Sequence, residues 1–155
     1  MRTAPTASLV LALILAACEG PSPPEGHASA TMEEAVASAG DVSIRASVVP
    51  TASLNAAVAG QYGIAPDRRS VMLLVGLREG EGMRATALPA RITASATDLR
   101  GARTAIDMRE IRSGGFIDYV GTVRITAPET LRFELAIEHA AGAPSSLTFS
   151  RDFYP

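Results

Sequence analysis

The alternation of apolar and polar residues is the feature that most limits what this chain can fold into. Single charged or small residues separate four apolar ones, Leu131, Phe133, Leu135 and Ile137. A β-strand points successive side chains to opposite faces of a sheet, so this period of two is typical of a strand with one buried and one exposed face. The chain is therefore predicted to be built mainly from strands.

Seven segments carry a strand pattern, and Gly, Pro and Asp residues mark the turns between them. They are residues 42–48, 70–78, 88–99, 102–112, 117–125, 131–138 and 147–153. The second of these is almost continuously apolar, which indicates a central strand covered on both faces. The third and fourth flank the turn-like Leu99-Arg100-Gly101 and are predicted to form a hairpin. Within the predicted domain, only residues 53–62 have a helical pattern, with Ser53 as the cap and Gly63 as the stop.

These elements predict an all-β fold, an immunoglobulin-like antiparallel β-sandwich of about seven strands with one short helix. A small β-barrel is the alternative, because short antiparallel strands also close into barrels. The chain has 155 residues and one cysteine. An internal disulfide is therefore excluded, and the core alone must hold the fold together.

The first seventeen residues have the three zones of an export signal. Arg2 precedes an apolar run over residues 9–15, and Ala16 and Ala17 follow it. Spanning a bilayer needs about 20 apolar residues, so this run is typical of a signal peptide. Leu15-Ala16-Ala17-Cys18 resembles the lipobox of bacterial lipoproteins. Residues 1–17 are interpreted as a lipoprotein signal peptide and Cys18 as the lipidated residue; an ordinary signal peptide beside a chance cysteine is the alternative.

Residues 18–40 are predicted to be a flexible tether between the lipid and the domain. Their first half is rich in Pro and Gly, which cannot bury apolar area. Residues 31–38 could make two turns of frayed helix, capped by Thr31 with Glu34 three residues later. The folded domain is then expected over residues 41–155, facing the periplasm. Glu19 follows the cysteine where inner-membrane retention signals have Asp, so the outer membrane is the expected location.

The charges are balanced and scattered. All 14 basic residues are Arg, against 16 acidic ones, and the formal net charge is −2. Nucleic-acid binding is therefore not expected, because it requires a basic patch. The predicted partners are the membrane, through the lipid on Cys18, and an unknown periplasmic protein or small ligand.

No motif for catalysis, a metal or a cofactor is present. The two histidines, His27 and His139, show no HxH or HExxH spacing, and the chain has no GxSxG elbow and no lysine for an SxxK pair. Four carboxylates could meet across strands as a catalytic pair, although solvated pairing with Arg109, Arg124 or Arg132 is the more common use of such residues. These carboxylates are Glu110, Asp118, Glu134 and Glu138.

Tyr62-Gly63-Ile64, at the predicted end of the helix, is a candidate loop. An aromatic residue beside a glycine can form a surface binding loop, and it can equally form a helix C-cap whose Tyr62 and Ile64 pack onto the sheet. Both interpretations stay open from the sequence.

Several segments together resemble a family of small exported proteobacterial proteins known as domain of unknown function 4426. They are Tyr62-Gly63-Ile64 with the preceding helical Leu54 and Ala57-Val58-Ala59, Arg69-Ser70 before the apolar strand, Leu88-Pro89-Ala90, Asp98-Leu99-Arg100-Gly101, Met108-Arg109-Glu110-Ile111, Glu129-Thr130-Leu131-Arg132-Phe133 and Phe149-Ser150-Arg151-Asp152-Phe153-Tyr154. The resemblance implies a periplasmic all-β domain and brings no established activity or site. The lipobox and the long tether depart from the plain cleavable signal expected of typical members.

The prediction for function is a non-catalytic, lipid-anchored binding or accessory module in the periplasm, and not an enzyme. One alternative is a hydrolase that acts on envelope material through carboxylates brought together by the fold. The other is a chaperone-like or structural module that engages another chain through an edge strand. This last alternative predicts a sheet edge without charges, Pro or a bulge.

Overall fold

The computed structural model describes residues 33–155, which fold into two antiparallel sheets packed face to face. The strands are β1 (Ala35–Ala39), β2 (Val42–Pro50), β3 (Ser70–Glu79), β4 (Thr86–Ala87), β5 (Ala90–Asp98), β6 (Arg103–Ile106), β7 (Arg109–Ser113), β8 (Phe116–Arg124), β9 (Glu129–His139) and β10 (Ser145–Phe153). The only α-helix of this region is α1 (Ala56–Tyr62), and two 3-10 turns cover Thr51–Ser53 and Gly82–Arg84. The predicted all-β sandwich is confirmed.

The six-stranded sheet runs in the order β1-β2-β3-β8-β7, with β4 paired to β3. The four-stranded sheet runs in the order β10-β9-β5-β6. The two sheets do not join into a closed barrel, so the barrel alternative is wrong. Their inner faces form one main core, in which Phe133, Ile44 and Leu73 are fully buried.

β3 lies at the centre of the six-stranded sheet and is buried on both faces, as its apolar run predicts. Val71, Leu73 and Val75 face the main core, while Met72 faces the opposite side. There α1 covers the sheet and forms a second set of packed side chains, here named the outer cluster. Its buried members are Val49, Tyr62, Met72 and Val120.

Helix α1 begins and ends through side-chain and glycine chemistry. The Oδ1 atom of Asn55 accepts a hydrogen bond from the Val58 N–H at 2.9 Å, which caps the first turn. Gly63 adopts a left-handed conformation (φ 57°) and ends the helix, as predicted. The predicted cap, Ser53, is wrong, because Ser53 lies in the preceding 3-10 turn and the cap belongs to Asn55.

The domain starts earlier than the sequence pattern indicates. Ala35–Ala39 form strand β1, which pairs with β2 through a two-residue turn, so the helix predicted over residues 31–38 and the tether extending to residue 40 are wrong for these residues. Alanine has weak strand propensity, but Ala35 and Ala37 pack against the main core, and packing overrides propensity. The predicted signal peptide, Cys18 and the remaining tether lie outside the described residues.

The segment 102–112 is not the single strand that was predicted. Its first part, β6, pairs with β5 in a hairpin, and its second part, β7, pairs with β8 in the other sheet. The chain crosses between the sheets at Asp107 and Met108, directly over Gly121. A Cβ at Gly121 would lie 2.5 Å from Ile106 Cγ2, so the crossing requires glycine there. This division and the short strands bring the described region to ten strands rather than about seven.

Within residues 33–155, no helix is long and apolar enough to cross a membrane.

Candidate functional site

The crossing from β6 to β7 leaves a gap at one side of the sandwich. β6 pairs only with residues 94–97 of β5, so residues 90–93 have no strand neighbour on that side. The gap opens into a cleft of about 600 Å³, here named the edge cleft. It is lined by residues 89–92, Met108, Glu110, Tyr119 and residues 138–140.

Tyr119 is the polar centre of the edge cleft. Its ring belongs to the main core and is 4% exposed. Its hydroxyl donates a hydrogen bond to Glu110 Oε2 at 3.1 Å and accepts one from the Ala90 N–H at 2.7 Å. Tyr119 therefore links the six-stranded sheet to the uncovered start of β5 and satisfies one of its backbone donors.

Two opposite pKa shifts follow from this arrangement. The hydrogen bond from Arg112, with a further one from Tyr119, holds the pKa of Glu110 below its usual range. Burial, together with the hydrogen bond to Glu110, raises the pKa of Tyr119. Both pKa values lie further from 7 than usual, so at pH 7 Glu110 is a carboxylate and Tyr119 is uncharged. A general acid or base for neutral pH needs a pKa near 7, which neither group approaches.

Glu138 and His139 form the other wall of the edge cleft. The Nε2 atom of His139 lies 3.4 Å from Ser145 Oγ, and its Nδ1 atom is buried without a hydrogen-bond partner among residues 33–155. Glu138 is exposed and stands opposite Arg91 in the β5–β9 register. Neither Glu138 nor Arg91 makes an ion pair with another residue of the described region. The Glu138 carboxylate is thus available at the mouth of a cleft whose apolar lining comes from Ile92 and Met108.

The structure brings only two of the four candidate carboxylates together. Glu110 and Glu138 both line the edge cleft. Glu134 lies on the outer face of the four-stranded sheet, where it pairs with Arg132 at 2.9 Å and Arg103 at 3.3 Å. The fourth, Asp118, accepts a hydrogen bond from the helix-end tyrosine.

In Tyr62-Gly63-Ile64, two of the three residues pack. Tyr62 is 9% exposed and donates its hydroxyl hydrogen bond to Asp118 Oδ2 at 3.0 Å. Burial, followed by the hydrogen bond and the charge of Asp118, raises the pKa of Tyr62 to about 12. Ile64 packs against the outer cluster, and the Tyr62 carbonyl accepts a hydrogen bond from Arg109. The loop therefore fastens α1 to the sheet.

Sequence reasoning missed the edge cleft as a unit. Tyr119 and Met108 carry no motif, and they meet Glu138 and His139 only because the chain changes sheets between β6 and β7. The described part of the chain also contains no three His, Cys, Asp or Glu side chains placed to share a metal ion.

Comparisons with known proteins agree with this fold. A family model described as domain of unknown function (DUF4426) matches residues 36–155. A crystal structure of a DUF4426 family protein from Pseudomonas aeruginosa PAO1 superposes with a TM-score of 0.67 at 24% identity, covering 79% of this chain and 95% of that one.

Two structures of FetP from uropathogenic Escherichia coli strain F11 are more distant. A copper-bound variant has a TM-score of 0.55 at 10% identity and covers 77% of this chain and 95% of FetP. FetP as isolated, after recombinant expression in the E. coli periplasm, has a TM-score of 0.56 at 9% identity, with coverage of 79% and 95%. At these identities the likeness concerns the fold. No curated protein matches the chain. The family match covers most of the sequence, and the chain belongs to the DUF4426 family.

Proposed function

We propose that this protein is a non-catalytic binding module, anchored to the outer membrane by lipid on Cys18 and facing the periplasm. The edge cleft is its ligand-binding site. The observation that carries this proposal is the exposed Glu138 carboxylate, which has no ion-pair partner among residues 33–155, beside the apolar surface of Ile92 and Met108. Binding sites are typically concave and largely apolar, with a few polar groups that orient the ligand.

The chemistry of the edge cleft favours a small ligand that joins a cationic group to an apolar part. The charged residues of the lining are Arg91, Glu110 and Glu138, which sum to one negative charge. Glu138 supplies the accessible carboxylate, since Glu110 is already engaged by Arg112 and Tyr119. Ile92 and Met108 supply apolar contact for the remainder of the ligand. An amine with a short aliphatic or aromatic tail meets both requirements.

The electrostatics support binding rather than catalysis. The pKa of Glu110 is lowered and that of Tyr119 is raised, so near neutral pH Glu110 stays a carboxylate, Tyr119 stays protonated, and neither exchanges a proton readily. The edge cleft is lined by neither serine, threonine nor cysteine, and of its two carboxylates Glu110 is already engaged by Arg112 and Tyr119. These features weigh against the alternative of an envelope hydrolase.

Copper enters the test as a probe, because one FetP structure is copper-bound. His139 and Met108 line the edge cleft and could each offer a soft or borderline ligand. A third side chain of that kind is not present among the cleft residues described above. The amine class is therefore the proposed ligand, and copper is the comparison.

The test uses the full-length lipoprotein purified in mild detergent. Hexylamine, phenethylamine and Cu²⁺ are titrated by calorimetry against the wild type, Glu138→Gln and the control Glu79→Gln, which changes an exposed carboxylate at the far end of β3. Loss of a charged hydrogen bond costs about 1.5–3 kcal/mol, so we expect about 10- to 150-fold weaker amine binding for Glu138→Gln and none of this loss for the control. Amine binding that Glu138→Gln leaves unchanged would refute the assignment of the cleft.

Anchoring is tested separately. Cys18→Ser removes the thiol that would carry the lipid. Cells fed a radiolabelled fatty acid should label the wild type and not the variant, and the variant should leave the outer-membrane fraction. Equal labelling of both proteins would exclude lipidation at Cys18.

A further inference from the structure

Among residues 33–155, strand β1 is an edge of the six-stranded sheet and lacks the charge, proline or bulge that usually protects an edge strand. Its residues, Ala-Val-Ala-Ser-Ala, include no charge and no Pro, and the five consecutive pairs from Ala35↔Ala46 to Ala39↔Val42 contain no bulge. Soluble proteins normally guard such edges because unpaired backbone groups recruit other strands. The opposite edge, β7, carries three charges in five residues. The contrast singles out β1 as an edge built for pairing.

The backbone groups that β1 leaves unpaired follow from the strand alternation. The Asp41 carbonyl accepts a hydrogen bond from the Gly80 N–H at 2.9 Å, so Asp41 faces β3. Alternation then directs Val42 and every second residue of β2 toward β1, where they meet Ala39, Ala37 and Ala35. The N–H and C=O groups of Val36 and Ser38 therefore point away from the sheet.

Small side chains leave this edge open to a close approach. Val36 is 53% exposed on the outer face of the sheet, whereas Ala35 and Ala37 lie against the main core. Just before the strand, the Glu34 carboxylate is held by Arg45 at 2.6 Å, so the charge nearest to the edge is already paired.

We propose that β1 pairs antiparallel with β1 of a second copy of this chain, about a two-fold axis at Val36. Val36 then faces Val36 of the second copy, and Ser38 faces Glu34 of the second copy. Alternation continued by one residue before β1 places Glu34 in the same outward set as Val36 and Ser38, so three residue pairs exchange about six hydrogen bonds, two in each. Two half-exposed valines also cover each other, which removes apolar surface from water.

Charge repulsion favours the register with its axis at Val36 over the next possible register, which has its axis at Ala37. An axis at Ala37 would place Glu33 opposite Asp41 of the second copy, and like charges directly opposite destabilise a strand pair. The axis at Val36 places Glu33 opposite Ala39 instead. In the register about Val36, β1 pairs with itself without opposing like charges, and for this reason a second copy is the favoured occupant.

The interface is short, so its strength depends on confinement. Pairing five-residue edges buries far less than the roughly 1,000 Å² expected of a stable dimer, and association in dilute solution should be weak. Two copies anchored in one membrane meet at a much higher effective concentration. This step rests on the proposed lipid anchor, whereas the register does not.

The test places single cysteines in the full-length lipoprotein reconstituted in vesicles. Val36→Cys would face its counterpart at a Cα separation of about 5.5 Å, within the range that a disulfide spans. Phe116→Cys, which replaces a residue 55% exposed, is the matched control for random collisions. Under mild oxidation we expect disulfide dimers to form at least 10-fold faster for Val36→Cys than for Phe116→Cys. The wild type under the same oxidation reports whether Cys18 is blocked, and a wild-type dimer would contradict the lipid anchor rather than the pairing.

A second variant separates pairing from folding. Ser38→Pro, added to Val36→Cys, removes only an N–H that points away from β2, and Ser38→Thr retains that donor. The proline variant should lose at least 10-fold in dimer yield with an unchanged thermal midpoint, while the threonine variant should dimerise normally. Equal dimer rates for Val36→Cys and Phe116→Cys, or a dimer that Ser38→Pro does not weaken, would overturn the proposal. Val36→Cys that joins only a different protein in intact cells would replace the second copy by a hetero-partner.

Discussion

The two sheets share one inner core but use their outer faces in opposite ways. The six-stranded sheet is covered by α1, and Met72 and Val120 pack beneath the helix in the outer cluster. The four-stranded sheet leaves its outer face to solvent, where Glu134 lies between Arg103 and Arg132. The same sandwich therefore has a three-layer half and a two-layer half. This difference explains why β9 alternates strictly in sequence and β3 does not.

The largest expected effect comes from the core that both sheets share. Phe133 is fully buried, and its ring stacks on Phe149 with 5.3 Å between centroids. Phe133→Ala should lower the free energy of unfolding by about 3–5 kcal/mol in a urea titration, because it leaves a cavity in the main core. Phe116→Ala, at a position 55% exposed where the Arg78 guanidinium lies over the ring, should lower it by no more than about 1 kcal/mol. Similar losses for both variants would mean that the sheets do not share a packed core.

The next effect tests whether the outer cluster is a true second core. Met72 is 2% exposed beneath α1. Met72→Ala should cost about 2–3 kcal/mol, at the lower end for buried methionine, because the cluster is small. Thr93→Ala, on the exposed face of the four-stranded sheet, should cost less than about 0.5 kcal/mol. If the two variants proved equally stable, the packing of α1 on the six-stranded sheet would contribute no stability beyond that of a solvent-exposed sheet face.

A pH titration sharpens the role of Tyr62 in holding α1 on the sheet. Its pKa is raised to about 12 in the folded chain, so between pH 10 and 12 the unfolded chain loses the phenolic proton first. The stabilising effect is complete below pH 10 and falls as the pH rises through that window, by on the order of 1 kcal/mol. Tyr62→Phe should flatten part of the fall in urea midpoint between pH 9 and 11.5. An identical slope in wild type and variant would contradict the raised pKa.

The smallest effect belongs to the ion pairs on the four-stranded sheet. Arg103 and Arg132 side chains are more than half exposed, and exposed pairs contribute about 0–1 kcal/mol. Glu134→Gln should therefore lower the free energy of unfolding by less than about 1 kcal/mol, and the loss should shrink in 0.5 M NaCl. A loss above about 2 kcal/mol that salt does not reduce would show that this face is a buried network rather than a solvated one.

Much of the fold could be predicted because single strands carry their own pattern. The alternation of β9, the apolar run of β3 and the glycine at the end of α1 each report a local environment, and each prediction matches the structure. The division of residues 102–112 could not be predicted, because the pattern stays strand-like while the chain changes sheets. What permits the change is Gly121, a residue distant in sequence.

The candidate site was harder to predict than the fold. Glu110 and Glu138 were both named as possible partners, and both do line the edge cleft. Their grouping depends on the uncovered start of β5, which follows from the short length of β6. Strand β1 escaped prediction for a different reason: alanine and serine alternate without contrast in polarity, so only the contact of Ala35 and Ala37 with the core identifies it.

The position of β1 also decides how the domain would respond to mechanical load. A pull on the chain before Glu33 acts first on the hydrogen bond from the Arg151 guanidinium of β10 to the Glu33 carbonyl, and then on the open end of the β1–β2 hairpin, at the Ala35↔Ala46 pair. In this geometry the backbone hydrogen bonds between β1 and β2 are loaded and broken one after another, instead of sharing the force. β1 should therefore detach at a lower force than the other strands, while the remaining strands and their common core stay folded.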